Sequence, residues 1–318
     1  MWKSSDILPF VSAFAVSVLA VFVWIKLMQA REMGQFIREE GPEAHLKKAG
    51  IPTMGGVGFL FSSLLLPAAF IELNNSIKYI FVSVLLFALI GFYDDYKKLT
   101  KRTNEGLSAK GKFLLILVIS VVIYLGFLKG FHVRLPFTEY LIESVILSSV
   151  FMAFLYAAVT NATNFTDGLD GLLAMVTIPV IVLFIAISSM KGLTELKVFN
   201  LIFLGAMLGY LVFNMYPAKV FMGDLGSLAI GAYVVSNSII LDIYWLIPLF
   251  GLWYVIEVVS VIIQVLYFKK TGGKRFFKMA PYHHHLEYLG WNERKIDFAA
   301  FLLTSLCSGI SFLIVYAV

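Results

Sequence analysis

Long apolar runs recur along the whole chain, each bounded by charged or turn-forming residues. They lie near 7–27, 54–71, 77–92, 113–128, 141–159, 172–188, 198–213, 226–241, 245–268 and 298–317. A backbone crossing about 30 Å of hydrocarbon must satisfy its own polar groups, so runs of this length are expected to form bilayer-spanning helices. Of the 318 residues, 60% are hydrophobic and 14% charged, against roughly half and a quarter in soluble domains. No polar stretch is large enough to fold as a separate soluble domain. The expectation is therefore one all-α integral membrane domain over 1–318, with ten transmembrane helices. The first run is longer than a signal-peptide core and precedes no convincing small-residue cleavage site, so it reads as a retained helix. The third and seventh runs are among the shortest, at 16 residues each, and only Asp242 divides the eighth from the ninth.

Ten spans leave nine loops. The odd-numbered loops hold 18 of the 25 Lys and Arg residues and the even-numbered loops hold 5, with Lys3 and Lys26 flanking the first span. The positive-inside rule then places the odd loops in the cytoplasm and both termini outside. The formal charge of +5 has this origin, since the basic residues sit between apolar runs instead of lining a face suited to nucleic acid. Cys307 is the only cysteine and lies in the last run, which excludes a disulfide framework and a thiolate metal site. No internal repeat of the kind that marks many transporters is visible.

The unusual polar clusters all fall in odd loops: Asp94 and Asp95 in the third, Asp167 and Asp170 in the fifth, Asp224 in the seventh, and His283, His284 and His285 in the ninth. Nine loops would seldom share them so by chance, which predicts one cytoplasmic site built from four loops. Asp94 and Asp95 close the third span, where the helix dipole disfavours anions. A solvated helix end with Lys98 as the i,i+4 partner of Asp94 is the plain reading; adjacent carboxylates kept for a metal or a mobile proton is the functional one. Asn161 to Gly171 opens the sixth span, with Asp167 and Asp170 three apart and able to share a helical face. N-capping explains one such residue, not two carboxylates and two asparagines. Asp224, between Gly223 and Gly226, reads equally as an N-cap or as part of an anion site at a helix N-terminus. Consecutive histidines do not easily ligate one zinc ion, so phosphate contact is the better assignment for 283–285. Lys47, Lys48, Lys110, Lys112 and Arg275 read as orientation charges before they read as ligands.

Several carboxylates without a thiolate favour a hard cation, and cations with helix N-termini can hold the remaining oxygens of a phosphate. Phosphoryl chemistry follows. The competing class is an ion or nucleotide transporter, which predicts charges in mid-span. Glu257 meets that prediction; the other acids keep to the ends of spans.

Pro52-Thr53-Met54-Gly55-Gly56, Asp94-Asp95-Tyr96-Lys97-Lys98, Asn161 to Leu172, Phe221 to Ser227 and Pro281-Tyr282-His283-His284-His285-Leu286-Glu287 follow one another in this order. In these segments the chain resembles the polyprenyl-phosphate N-acetylhexosamine-1-phosphate transferases, and the triple histidine resembles the branch that handles phospho-N-acetylmuramoyl-pentapeptide. The neighbouring N-acetylglucosamine phosphate branch is more arginine-rich there. The resemblance implies a ten-helix fold with both termini outside, in a bacterial cytoplasmic membrane with the active site facing the cytoplasm. It implies transfer from UDP-N-acetylmuramoyl-pentapeptide to undecaprenyl phosphate with Mg2+, releasing UMP and forming lipid I, and it implies a homodimer. By position, Asp94 and Asp95 match the pair that activates the lipid phosphate, and Asp224 with Asp167 match metal ligands. Lys98, Lys110 and His283 match phosphate contacts of the catalytic site. Asn164, Asp167, Asp170, Asn214, Phe221, Gln264, His284 and His285 match the substrate pocket, with Phe221 stacking on uracil and either Lys47 or Lys48 touching it.

Overall fold

The computed structural model describes residues 4–31, 34, 50–101, 103, 105–128, 132–134, 138 and 140–317. Lys47 and Lys48 lie outside them. In chain order the helices are α1 (Ser4–Ala30), α2 (Gly56–Leu65), α3 (Pro67–Phe70), α4 (Asn75–Lys101), α5 (Ala109–Phe127), α6 (Val145–Thr166), α7 (Leu172–Met190), α8 (Thr194–Asn214), α9 (Gly223–Ile240), α10 (Ile247–Phe250), α11 (Leu252–Lys270), α12 (Tyr282–Tyr288) and α13 (Glu293–Ala317). A two-residue antiparallel ladder pairs β1 (Val133–Arg134) with β2 (Leu141–Ile142) between α5 and α6.

Eight helices among the described residues are long and apolar enough to cross a membrane: α1, α4, α5, α6, α7, α8, α11 and α13. The two other expected spans take different forms. The run near 54–71 forms α2 and the short α3, which Pro67 opens at its first position, and together Gly56–Phe70 stay short of a span. The run near 226–241 becomes α9, whose 18 residues include Asp224, Ser227 and Asn237.

α9 is the central element. Every residue from Leu225 to Ile239 is buried, as expected of a helix enclosed on all sides. α4 and α6 pack against it, while α1 packs along α8 and α13 along α7. Buried hydroxyls join the first three: Tyr156 Oη lies 2.8 Å from Tyr79 Oη and 2.9 Å from Ser236 Oγ, and it donates to Ser83 Oγ. Such bonds specify register in a membrane interior, where apolar burial discriminates little between neighbours. The outward faces of the peripheral helices carry Leu19, Phe154, Leu266 and Leu306 in exposed positions, suited to hydrocarbon.

Two boundaries differ from the sequence expectation. α4 runs beyond its apolar stretch to Lys101, so Asp94 and Asp95 lie inside the helix and Lys98 and Lys101 occupy the last turn that favours cations. Nothing between Tyr93 and Lys101 breaks a helix, and loss of hydrophobicity alone does not end one. The segment from Asn161 to Thr166 closes α6; it does not open α7. Its polar side chains are accommodated by bonding back to the preceding turn, as Asn161 does to Ala157 O and Thr166 to Ala162 O. Asp167 and Asp170 therefore stand in a turn and share no helical face.

α4 meets the start of α9 at Gly91, where a Cβ would lie 2.2 Å from Asp224 O. Replacing Gly91 by Val is expected to separate the two helices and destabilise the protein by about 1–3 kcal/mol. Thermal unfolding in detergent would show this; an unchanged melting temperature would mean the contact is not tight.

Candidate active site

The close approach at Gly91 sets the α9 N-terminus over consecutive carboxylates of α4. Asp95 Oδ2 accepts the Leu225 N–H at 3.0 Å, one of the donors a helix N-terminus leaves without an intrahelical partner. Gly223 permits the turn with φ +79°, and a Cβ there would lie 2.6 Å from Asp95 Oδ2. Asp94 Oδ1 accepts the Leu107 N–H at 2.6 Å. Lys98 Nζ, one helical turn beyond Asp94, lies 2.6 Å from Asp94 Oδ2, 2.9 Å from Asp224 Oδ2 and 3.8 Å from Asp95 Oδ1. Lys112 Nζ, from the first turn of α5, donates to Asp224 Oδ2 at 2.8 Å. Asn164, from the last turns of α6, donates from Nδ2 to Asp224 Oδ1 at 2.7 Å and to Ser227 Oγ at 2.9 Å. The N-cap of α9 is Met222, so capping does not account for Asp224.

Metal-directed oxygens of Asp94, Asp95 and Asp224 all lie within 4.8 Å of one another. Like charges at about 4 Å repel by about 4 kcal/mol at an effective dielectric near 20. The two ammonium groups offset this. Three carboxylate oxygens without a sulfur ligand fit a hard divalent cation, and such an ion would compete with Lys98 and Lys112 for Asp224 Oδ2. Asp167 lies beside this group. Its carboxyl accepts the Gly223 N–H, and it is pushed well above the ordinary carboxylate value, first by burial among protein atoms and then by the Asp224 and Asp95 charges. Part of its surface remains accessible.

The other residues singled out in the sequence divide between cluster and scaffold. Lys110 is exposed; two positions along a helix is about 200° of rotation, and Lys112 takes the inward face. Asp170 Oδ2 accepts the Ala218 N–H at 2.9 Å, and Asn214 bridges the Gly171 N–H and Val220 O, so both brace the loop leading into α9. Phe221 lies on that loop, its backbone paired with Pro52 and Gly55. Gln264 Oε1 accepts the Phe276 and Phe277 N–H groups. The triple histidine forms α12, not a loop. His284 Nδ1 lies 2.6 Å from Glu287 Oε2, and His285 Nδ1 accepts the Lys278 N–H. His283 is fully buried, with Nδ1 3.0 Å from Glu257 Oε2.

Two partners in these contacts, Lys112 of Asp224 and Glu257 of His283, were not assigned to a site from the sequence. Lys112 was visible there only as an orientation charge. Glu257 carried a signal, an acid inside an apolar run, but one that pointed equally to a transport path.

A family model for glycosyl transferase family 4 matches residues 77–242. The chain is 43% identical over 307 residues to a phospho-N-acetylmuramoyl-pentapeptide-transferase of Clostridium acetobutylicum, covering 95% of this chain and 96% of that protein. It is 41% identical over 294 residues to the protein of that name from Listeria monocytogenes, covering 90% and 91%. A further protein of that name, from Clostridium perfringens, is 41% identical over 316 residues, covering 96% and 97%. Similarity of this extent covers every segment that builds the acid cluster, and the chain belongs to the phospho-N-acetylmuramoyl-pentapeptide transferases within glycosyl transferase family 4.

Proposed function

We propose that the protein transfers phospho-N-acetylmuramoyl-pentapeptide from its UDP carrier to undecaprenyl phosphate, releasing UMP and forming lipid I. The observation that carries the reading is the convergence of Asp94, Asp95, Asp224, Lys98 and Lys112 at the junction of α4, α5 and α9. The names and extent of the relatives support it. The site works on the cytoplasmic side of a bacterial cytoplasmic membrane in this reading, with both termini outside, because the basic loops and the acid cluster share one side.

One of Asp94 and Asp95 removes a proton from the lipid phosphate. That oxygen then attacks the phosphorus bonded to the sugar, the bond from this phosphorus to the UMP oxygen breaks, and UMP leaves. In the alternative, an acid-pair carboxylate attacks that phosphorus first and expels UMP, and the lipid phosphate oxygen then attacks the phosphosugar held on the carboxylate and releases it. Lys98 and Lys112 hold non-bridging phosphate oxygens, with Asn164 fixing the Asp224 carboxylate between them. Asp224 with Asp94 or Asp95, and with Asp167 adjacent, would hold Mg2+, which would supply charge neutralisation at the pyrophosphate. His283 contacts a phosphate, and His284, His285, Phe221 and Gln264 border the nucleotide.

The test is UMP release by purified protein in detergent, given UDP-N-acetylmuramoyl-pentapeptide, undecaprenyl phosphate and Mg2+. Release requiring both lipid phosphate and metal is expected, and Asp224→Asn should lower it about 10²–10³-fold. No release under conditions that preserve the fold would overturn the reading, and equal turnover of UDP-N-acetylglucosamine would move it to the neighbouring branch. The two lysines separate as well. Lys112→Ala is expected to lower kcat about 100-fold, whereas Lys110→Ala should fall within about threefold of wild type; the reverse order would place Lys110 on the phosphate.

A further inference from the structure

Glu257 lies on α11, fully buried, and its Oε2 accepts from His283 Nδ1 at 3.0 Å and from the His283 backbone N–H at 3.4 Å. A carboxylate acceptor at Nδ1 keeps the hydrogen on that atom, so the neutral ring presents its lone pair at Nε2 and the charged ring presents an N–H there. Nε2 is buried and has no hydrogen-bond partner among the described residues. It points at Gly168, where a Cβ would lie 2.2 Å away. The preceding residue, Asp167, bonds the Gly223 N–H at the edge of the acid cluster.

Fold stability does not explain this pair. The second Glu257 oxygen, Oε1, is also buried without a partner, and a buried acid with a bare oxygen costs stability relative to an apolar side chain. Buried polar atoms are almost always bonded, and an orphan in a site points to a ligand group. We infer that Glu257 is a positioning residue: it holds His283 as the Nδ1–H form and aims Nε2 past Gly168 at a phosphate oxygen of the nucleotide-linked substrate. A glycine at 168 leaves that atom approachable when the turn at 167–171 admits substrate; a side chain would seal it. The inference rests on the transferase reading. Glu257 itself touches no substrate and acts through the imidazole, as the third group of a triad orients its base.

The experiment uses the full chain in detergent, the UMP-release assay, and selective 15N-histidine NMR with His283 assigned by its loss in His283→Gln. Glu257→Leu is expected to lower kcat about 100-fold, leave the nucleotide KM within about threefold and not lower the melting temperature. It should convert the His283 signal from the Nδ1–H to the Nε2–H form. Added to His283→Gln, it should cost nothing further. An active wild type whose Leu variant keeps its kcat, or a full loss that persists in the His283→Gln background, overturns the positioning role alone. A wild type that releases no UMP overturns the transferase reading and the phosphate partner with it, while the tautomer signal still decides whether Glu257 holds the ring.

Discussion

Three carboxylates are held within 4.8 Å of one another at the contact between α4 and α9, and the arrangement of the surrounding helices follows from making that tolerable. Gly91 removes the Cβ that would keep the two backbones apart. The first N–H groups of α9 then bond one acid, Lys98 reaches all three acids from its own helix, and Lys112 closes the group from α5. Repulsion among the acids is balanced locally by two ammonium groups and a helix N-terminus. In the proposed reaction, a phosphate entering the site meets two ammonium groups already gathered there by the acids.

Around this cluster the polar residues form two tiers with different physical roles. Asn164 touches Asp224 directly. Asp170, Asn214 and Glu293 instead bond backbone groups of the turn at 167–171 and of the loop before α9. Irregular backbone near a membrane interior needs such partners, because water is not there to supply them. Asp170 and Asn214, selected in the sequence as pocket candidates, thus bond the backbone of the loop that leads into α9.

Much of the fold was legible in the sequence because membrane helices announce themselves by length and apolarity. Eight of the ten runs became helices long and apolar enough to span. The other two show where the signal thins: Gly56–Phe70 stays short of a span, and α9 mixes small and polar residues because it is enclosed by protein on every side and has no lipid-facing stripe to supply. The ends of α4 and α6 were misplaced for a related reason. Apolarity marks where a helix meets lipid, whereas the helices continue past it until a turn residue stops them.

The sequence by itself pointed to Asp94, Asp95 and Asp224 as parts of one site, since unusual polar residues at the ends of apolar runs stand out, and the structure brings their carboxylates within 4.8 Å of one another. The sequence also determined the family, through five segments in the same order. Tertiary structure alone decided the partners. Lys112 faces Asp224 and Lys110 faces outward because of the rotation of α5 about its axis, which a pair of lysines two residues apart does not encode. Glu257 meets His283 because α12 folds back against α11, bringing together residues 26 positions apart. Such contacts depend on helix rotation and loop path to within about an ångström, and these are set by packing across the whole bundle.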